Sequence, residues 1–257
     1  MKKIKVSVCG GLGRMGKILI KKILNSKNLI LYSVTDIMVI KNSNNTIIQK
    51  NSFNAFKNTD VIIDFSRPKA SLEVLNYAKK FKKKVVIGTT GFNSKQNNLI
   101  KNYSKKIAIF KSGNMSVGIN LLEYIVSIFS KKIPKNYQIG ISDDHHKQKV
   151  DYPSGTALML ANAVSRGKNK SLESMKGKVF LNKSGSLHKN KVNFFITRKG
   201  NTIGKHSVLF NNKIENIELK HSAFSRELFA DGALNAAIWI SKKNRGLFDM
   251  QDMLGLK

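Results

Sequence analysis

Apolar and polar residues alternate from Ile4 to Cys9, and a period of two over six residues predicts a short strand. A glycine-rich turn follows, and then the amphipathic run Lys17 to Leu24, which predicts a helix. The cycle recurs along the first half of the chain. Leu29–Thr35 predicts a second strand, ending at Asp36, and Asp60–Ser66 reads as a buried strand. Ser66-Arg67-Pro68 opens a helix, with Ser66 as its cap and Pro68 in its first turn. Val85–Ile87 and Ile107–Phe110 predict two more strands, whereas the polar, Asn-rich Lys41 to Asn58 predicts a loop or a ragged short helix. Repeated strand–turn–helix units build a doubly wound parallel sheet, so the fold class is α/β.

The pattern changes near Val117. A helix carrying Leu121, Leu122, Ile125, Val126 and Phe129 leads into a strand at Tyr137–Ser142, and Thr156 to Val164 predicts another helix. Val192–Thr197, His206–Phe210 and Ile214–Lys220 are then strands joined by short turns, which predicts a second α+β domain with a mixed or antiparallel sheet. Arg198, Gly200, Gly204 and His206 fall at its turns, where they either line a site or shape hairpins. For His206 the structural role is the simpler expectation. The last stretch reads as a helix returning to the first domain. The expected division is therefore residues 1–116, completed by a C-terminal helix over 226–257, and a second domain over 117–225.

Gly11, Gly13 and Gly16, set between a strand and a helix, fit the G-x-G-x-x-G fingerprint of a Rossmann-like dinucleotide fold. The first glycines allow a tight turn and close approach of a pyrophosphate, and Gly16 lets the helix pack on the strand. Asp36 stands about twenty residues further on, where an acidic side chain meets the adenosine ribose. Ile37 follows it in place of an arginine that would favour the 2′-phosphate of NADP, so NADH is expected at least as well as NADPH. Gly88–Thr90 and Ser112–Met115 close later strands, where such sheets bind ligands, and are the expected nicotinamide side.

The densest chemistry lies in Asp143-Asp144-His145-His146-Lys147-Gln148-Lys149-Val150-Asp151-Tyr152-Pro153-Ser154-Gly155-Thr156-Ala157. Histidine titrates near neutrality and hands over protons, and the lysines add positive charge. Ser154, Gly155 and Thr156 start a helix and aim donors at a carboxylate or phosphate. Together they describe a pocket for a small anion that must be protonated. Flanking lysines are expected to disfavour the imidazolium of the first histidine.

Composition narrows the setting. Apolar residues make up 41% of 257 residues, enough for a real core. A lone cysteine, Cys9, supports neither a disulfide framework nor a metal set, and suits a reducing cytoplasmic home. No apolar run reaches membrane-spanning length, and the N-terminus lacks the sustained apolar core of a signal peptide. The net charge of +31 raises a nucleic-acid partner, but only positions 14, 67, 166, 198, 226 and 245 are arginine. Scattered lysine beside abundant asparagine and isoleucine reads instead as nucleotide bias, so no nucleic-acid partner is expected.

These motifs together resemble the 4-hydroxy-tetrahydrodipicolinate reductase (dihydrodipicolinate reductase) family of the diaminopimelate route to lysine. The resemblance rests on Gly10–Gly16, Asp64-Phe65-Ser66-Arg67-Pro68, Val86–Phe92, Asn114–Gly118, the His145–Ala157 string and Ser225-Arg226 through Trp239, spread in order over nearly the whole chain. It implies reduction of a cyclic unsaturated dicarboxylate by NADH or NADPH with loss of water. His145 takes the role of general acid/base, Lys149 that of proton donor, and His146, Gly155 and Thr156 those of substrate contacts. Cofactor contacts fall on Gly10, Gly11, Leu12, Gly13, Arg14, Met15, Asp36, Gly88, Thr89, Thr90, Ser112, Gly113, Asn114 and Met115. It further implies a homotetramer formed through the second domain's sheet. This chain departs from the family's pattern in having Asp143 for the usual Glu, in a shorter segment between Asp36 and Asp64, and in a reduced Gly/Arg-rich loop between Ser171 and Asn193. Rival readings are another two-domain NAD(P)-dependent dehydrogenase of the aspartate or homoserine type, a sensor that binds NADH without turnover, and a basic nucleic-acid binder on a Rossmann fold.

Overall fold

The structure is a computed structural model that describes residues 3–41 and 47–257. The chain divides into two compact units, Met1–Ser116 with Arg226–Lys257, and Val117–Ser225. The first begins with β1 (Ile4–Cys9), α1 (Arg14–Leu24), β2 (Leu29–Thr35), β3 (Ile40–Lys41), β4 (Ile47–Gln49), α2 (Phe53–Phe56) and β5 (Val61–Asp64). It continues with α3 (Pro68–Phe81), β6 (Lys84–Ile87), α4 (Ser94–Ser104) and β7 (Ala108–Lys111). The second unit holds α5 (Val117–Lys132), β8 (Gln138–His145), α6 (Gly155–Gly167), α7 (Leu172–Met175), β9 (Lys176–Leu181), β10 (Val192–Arg198), β11 (Gly204–Asn211) and β12 (Asn216–Ala223). The chain then returns to the first unit through α8 (Glu227–Ile240), β13 (Gly246–Phe248) and α9 (Met250–Leu254).

Strands of the first unit are ordered β13-β7-β6-β5-β1-β2-β4-β3 and all run parallel except the edge strand β3. Val61, Ile62, Ile63, Val85, Val86 and Ile87 are wholly buried, as continuous apolar strands covered on both faces must be. This is the Rossmann-like doubly wound sheet that the glycine turn and the strand–helix cycle predict. Two details differ. The polar segment after Lys41 contains β4 and the short α2, and part of it, residues 42–46, lies outside the described residues. Ser66 does not cap α3; its hydroxyl is drawn to the buried Asp64, leaving Arg67 at the cap position without a side-chain bond.

The second unit is a five-stranded sheet in the order β12-β11-β8-β10-β9. Its strands do not simply follow one another as hairpins. β8 lies between β10 and β11, parallel to the first and antiparallel to the second, so the sheet is mixed. The reason is a crossover: α6, α7 and β9 separate β8 from β10, and such a connection returns the chain parallel. The core beneath is built from Ile119 and Val126 of α5, Leu160, Ala161 and Val164 of α6, and Ile141, Phe194 and Val208 of the sheet. Gly167 permits the close approach of the two helices, because a Cβ there would stand 2.3 Å from the Ser127 carbonyl oxygen.

The expected single helix over 226–257 is three elements. The helix α8 stops at Ile240 with Ser241 as its cap, a short turn follows, and Gly246, at a φ of +133°, opens β13, which adds a parallel strand beside β7. No helix among the described residues is long and apolar enough to cross a membrane. α8 seats tightly, for a Cβ on Gly232 would come 1.7 Å from the Met115 carbonyl oxygen. Gly232→Ala is therefore expected to cost about 2–3 kcal/mol, the scale of overpacking a filled core. Gly113→Ala, which faces open space, is expected to leave stability unchanged. Urea unfolding of the two variants beside the parent checks the contrast.

Candidate active site

The core face of the second sheet turns polar at one end. Along β8, Ile139, Ile141, Asp143 and His145 share a face by the strand's period of two. Register places Phe194 and Val208 beside Ile141, Ile196 and His206 beside Asp143, and Arg198 beside His145. The apolar layer therefore runs directly into Asp143, His145, His206 and Arg198. Asp143 is fully buried and His145 and His206 nearly so.

Asp143 collects this cluster. Its Oδ2 accepts the Ser154 N–H at 2.7 Å and an Arg198 guanidinium N–H at 3.1 Å. Its Oδ1 lies 2.8 Å from His145 Nδ1 and 3.3 Å from His206 Nε2. The Oδ1–Nδ1 approach is electrostatic: neither atom has an aligned hydrogen-bond partner. Burial alone would raise the Asp143 carboxyl, but the two histidines and the Ser154 N–H outweigh it and hold it well below the usual carboxylate range. Burial pushes the His206 imidazole down, opposed in part by Asp143. The His206 Nε2 also meets Ser154 Oγ at 3.1 Å, and its ring stands edge-on to His145 with centroids 5.0 Å apart.

The loop after His145 is tied down from two sides. Backbone bonds link Lys199 N to His145 O, His146 N to Thr202 O and Lys147 N to Gly200 O. Arg198 also donates to the carbonyls of Asp143 at 2.7 Å and Asp151 at 2.9 Å. Lys149 Nζ is held by both carboxylate oxygens of Asp151 at 2.7 Å. α6 starts at Gly155 with Ser154 as its cap, the Ser154 Oγ accepting Ala157 N–H at 3.2 Å. The first-turn N–H groups of a thirteen-residue helix thus begin at Gly155 and Thr156, the ends that favour anions.

The structure brings together His145 and the Ser154 turn, and it adds Asp143, Arg198 and His206 to them. Cross-strand register supplies the last two, which sequence spacing cannot show. The predicted strand stops at Ser142 whereas β8 runs on to His145, so the alternation Asp143-x-His145 carried past that end is the available signal for the first. The Asp143 carboxylate stands against the His145 ring at 2.8 Å, a partner that the flanking lysines of the sequence do not announce. His206 lies within β11 and against Asp143 rather than at a turn. Asp143, His145 and His206 also place three potential metal-ligand atoms within 4.8 Å of one another, but the Arg198 guanidinium on the same carboxylate opposes a divalent cation.

In the first unit, a cleft of about 710 Å³ is lined by Gly10, Leu12, Gly13, Asp36 and Ile37, with Lys50, Phe65, Arg67 and Glu73 among its other walls. Gly10 has φ +80°, and a Cβ on Gly16 would come 2.1 Å from the Gly10 carbonyl oxygen, so the turn accepts only glycine at both places. Asp36 accepts the Leu12 N–H at 2.8 Å and its neighbour Ile37 N–H at 2.7 Å. This closes the turn over α1, whose N-terminus has no side-chain cap. The cradle, the uncapped helix and the cleft-lining carboxylate fit a dinucleotide. Of the other expected contacts, Gly11 faces Val34, and Arg14 and Met15 open α1 outside the cleft walls. Gly88, Thr89 and Thr90 follow β6: Gly88 abuts the Phe65 ring, and Thr89 Oγ1 donates to Asp64 and accepts the Ser66 N–H. Ser112, Gly113, Asn114 and Met115 follow β7, where Ser112 Oγ donates to Asn114 O and Asn114 Oδ1 accepts the Ser116 N–H. Both segments end strands on the carboxyl edge of the sheet, outside the walls of that cleft.

Two family models match, described as dihydrodipicolinate reductase, N-terminus, over residues 4–115 and dihydrodipicolinate reductase, C-terminus, over residues 118–254. The chain belongs to the dihydrodipicolinate reductase family. It is 48% identical to 4-hydroxy-tetrahydrodipicolinate reductase of Pelagibacter ubique, with both chains covered in full. It is 43% identical to the enzyme of that name from Buchnera aphidicola of Cinara cedri, over 98% of this chain and 97% of that one. The dipicolinate-bound dihydrodipicolinate reductase of Paenisporosarcina shares the fold at a TM-score of 0.76 and 21% identity, covering 98% and 99% of the two chains. Aspartate dehydrogenase of Thermotoga maritima aligns at a TM-score of 0.52 and 15% identity, over 94% and 98%. The family is one of oxidoreductases with a nucleotide-binding N-terminal domain, and the chain is an enzyme of that kind.

Acid sensitivity of this reductase follows from Asp143. Its folded value lies below the unfolded one, near 4. The carboxylate therefore contributes stability that is present above about pH 4 and is lost as pH falls below it. Urea midpoints measured from pH 6 down to 3 are expected to drop more steeply in the parent than in Asp143→Asn. Equal slopes would contradict this.

Proposed function

We propose that this chain reduces 4-hydroxy-tetrahydrodipicolinate to tetrahydrodipicolinate in the diaminopimelate route to lysine, consuming one hydride and one proton and releasing one water. The observation that carries this reading is the buried His145 at the end of β8, with Asp143 behind it and the Ser154-Gly155-Thr156 helix start beyond the loop. NADH or NADPH, held by the Gly10–Met15 turn, Asp36 and the strand ends at Gly88–Thr90 and Ser112–Met115, supplies the hydride. NADH is used at least as well as NADPH: Asp36 lines the cleft, and the exposed Ile37 brings no cation to it.

The protein's own residues bind and protonate. A ring dicarboxylate is held by the N–H groups and hydroxyl of Gly155 and Thr156 and by His146, with the positive field of the loop lysines behind them. The Paenisporosarcina protein is dipicolinate-bound, and that planar dicarboxylate serves here as an analogue of the substrate. His145 is the general acid/base, exchanging its proton at Nε2, and Lys149 is the proton donor that accompanies it. Gly204 matters for access, because a Cβ there would stand 3.1 Å from His145 Nε2. A homotetramer formed through the five-stranded sheet and a cytoplasmic location belong to the same reading.

Optical consumption of NADH and NADPH tests it, with the unstable substrate made in place from pyruvate and aspartate semialdehyde by the preceding synthase. His145→Gln and Lys149→Ala are each expected to lower kcat about 100-fold or more, the usual scale for a lost general acid, while NADH binding persists. Gly204→Ala is expected to lower kcat with the fold intact. Intact NADH binding without turnover in the parent would sink the reductase reading and favour a sensor.

A further inference from the structure

The two oxygens of Asp143 have different duties. Oδ2 is fixed by two donors that cannot reverse their role, the Ser154 backbone N–H and the Arg198 guanidinium. Among the described residues, Oδ1 faces only the imidazoles of His145 and His206. The remaining polar neighbours of the pair come from each packed element: Arg198 from β10, Ser154 from the start of α6, and His221 of β12, paired across the sheet with His206. Asp144 and Lys205, one residue off in each strand, alternate to the other face. His145 Nε2, on the far side of the ring, points to the space beside Gly204 that a methyl group would fill.

We propose that Asp143 is the positioning residue of this site. Held by Ser154 and Arg198 and braced by His206, it keeps the neutral His145 ring protonated on Nδ1, so that the proton gained and lost is the one on Nε2. The proposal rests on His145 being the group that exchanges protons. A carboxylate is an acceptor only, so with Oδ1 2.8 Å from Nδ1 the tautomer that turns a bare nitrogen lone pair to the carboxylate is repelled and the Nδ1–H form is favoured, even without an aligned hydrogen bond. His206, kept neutral by burial, shares Oδ1 and Ser154 Oγ without adding a second charge. The Arg198 guanidinium balances the carboxylate, so the buried site carries its negative charge paired.

Replacement by an amide separates this role from simple packing. Ser154 and Arg198 both donate, so in Asp143→Asn the amide must keep its oxygen at their side and turn its NH₂ toward His145 Nδ1. That NH₂ is a donor and should drive the His145 ring to the Nε2–H tautomer. The readout is the pair of ring ¹⁵N shifts of His145, recorded at a pH where the ring is neutral, in the full-length parent and in Asp143→Asn. The parent is expected in the Nδ1–H form and the variant in the Nε2–H form, with kcat lowered about 100-fold and KM little changed. His206→Gln, which keeps a donor where His206 Nε2 stands, is expected to leave the parent tautomer in place. A parent found in the Nε2–H form overturns the proposal even if the variant fails to fold, and so does an Asp143→Asn ring that stays Nδ1–H. These shifts need no turnover, so a tautomer switch in a protein without reductase activity would uphold this role while the reaction assignment fails.

Discussion

A buried carboxylate has to be neutralised or removed from the core, and the second unit is arranged around meeting that demand at Asp143. Transfer of an unpaired charge into the interior costs several kcal/mol, so every element near β8 sends it a partner. β10 sends Arg198, β11 sends His206, α6 sends the Ser154 N–H, and β8 itself sends His145 two residues on. Satisfying the charge fixes the geometry. The guanidinium that pairs with Asp143 also ties down the Asp151 carbonyl, and so the loop that carries Lys149. The Ser154 that donates its N–H also caps α6 and meets His206. Stability and the placing of reactive groups are thus one set of contacts.

The first unit solves a similar problem by different means. Asp64, at the end of β5, is equally buried but is surrounded by hydroxyls: Ser66 and Ser71 donate to it, and Thr89 Oγ1 does so at 3.0 Å. Among the described residues no cation pairs with it. Burial therefore pushes the Asp64 carboxyl up, and the hydroxyls offset only part of that. Its task is to join turns: the Ser66–Arg67 segment that lines the cleft beside Gly10 and Asp36 is bound through Asp64 and Thr89 to the end of β6. One carboxylate is held charged among a guanidinium and two imidazoles, and the other ties two strand ends beside a cleft.

Much of this was legible in residues of short sequence separation. The turn Gly10–Gly16 and Asp36 carry their meaning locally, because a left-handed glycine and a helix start need only a few neighbouring residues. The strand period that puts Asp143 and His145 on one face is local too, as is the Pro-Ser-Gly-Thr helix start. Arg198 and His206 were not legible as partners of Asp143, because their place depends on β10 and β11 flanking β8, an order set by a crossover through α6 and β9. The strand order misled in the same way: short turns between β10, β11 and β12 look like consecutive hairpins, yet β8 slips between the first two. Ser66 shows the limit of local rules, since a buried Asp64 outcompetes the helix end for its hydroxyl.

The +31 charge makes the location of a bound dicarboxylate the most direct test. A basic cavity of about 420 Å³ that His145 does not line exists in the same unit, walled by Lys135, Lys168, Lys170 and Lys191 with Tyr137 and Met175. Burial lowers the Lys168 amine there, and Lys135 and Lys170 add to the effect. A titration with dipicolinate in the presence of NADH, followed through backbone amide and histidine ring resonances, separates the two places. Saturable shifts centred on Gly155, Thr156, His145 and His146 are the result this account predicts. Shifts confined to the lysine cavity, with the Gly155 amide and the His145 ring unmoved, would contradict it.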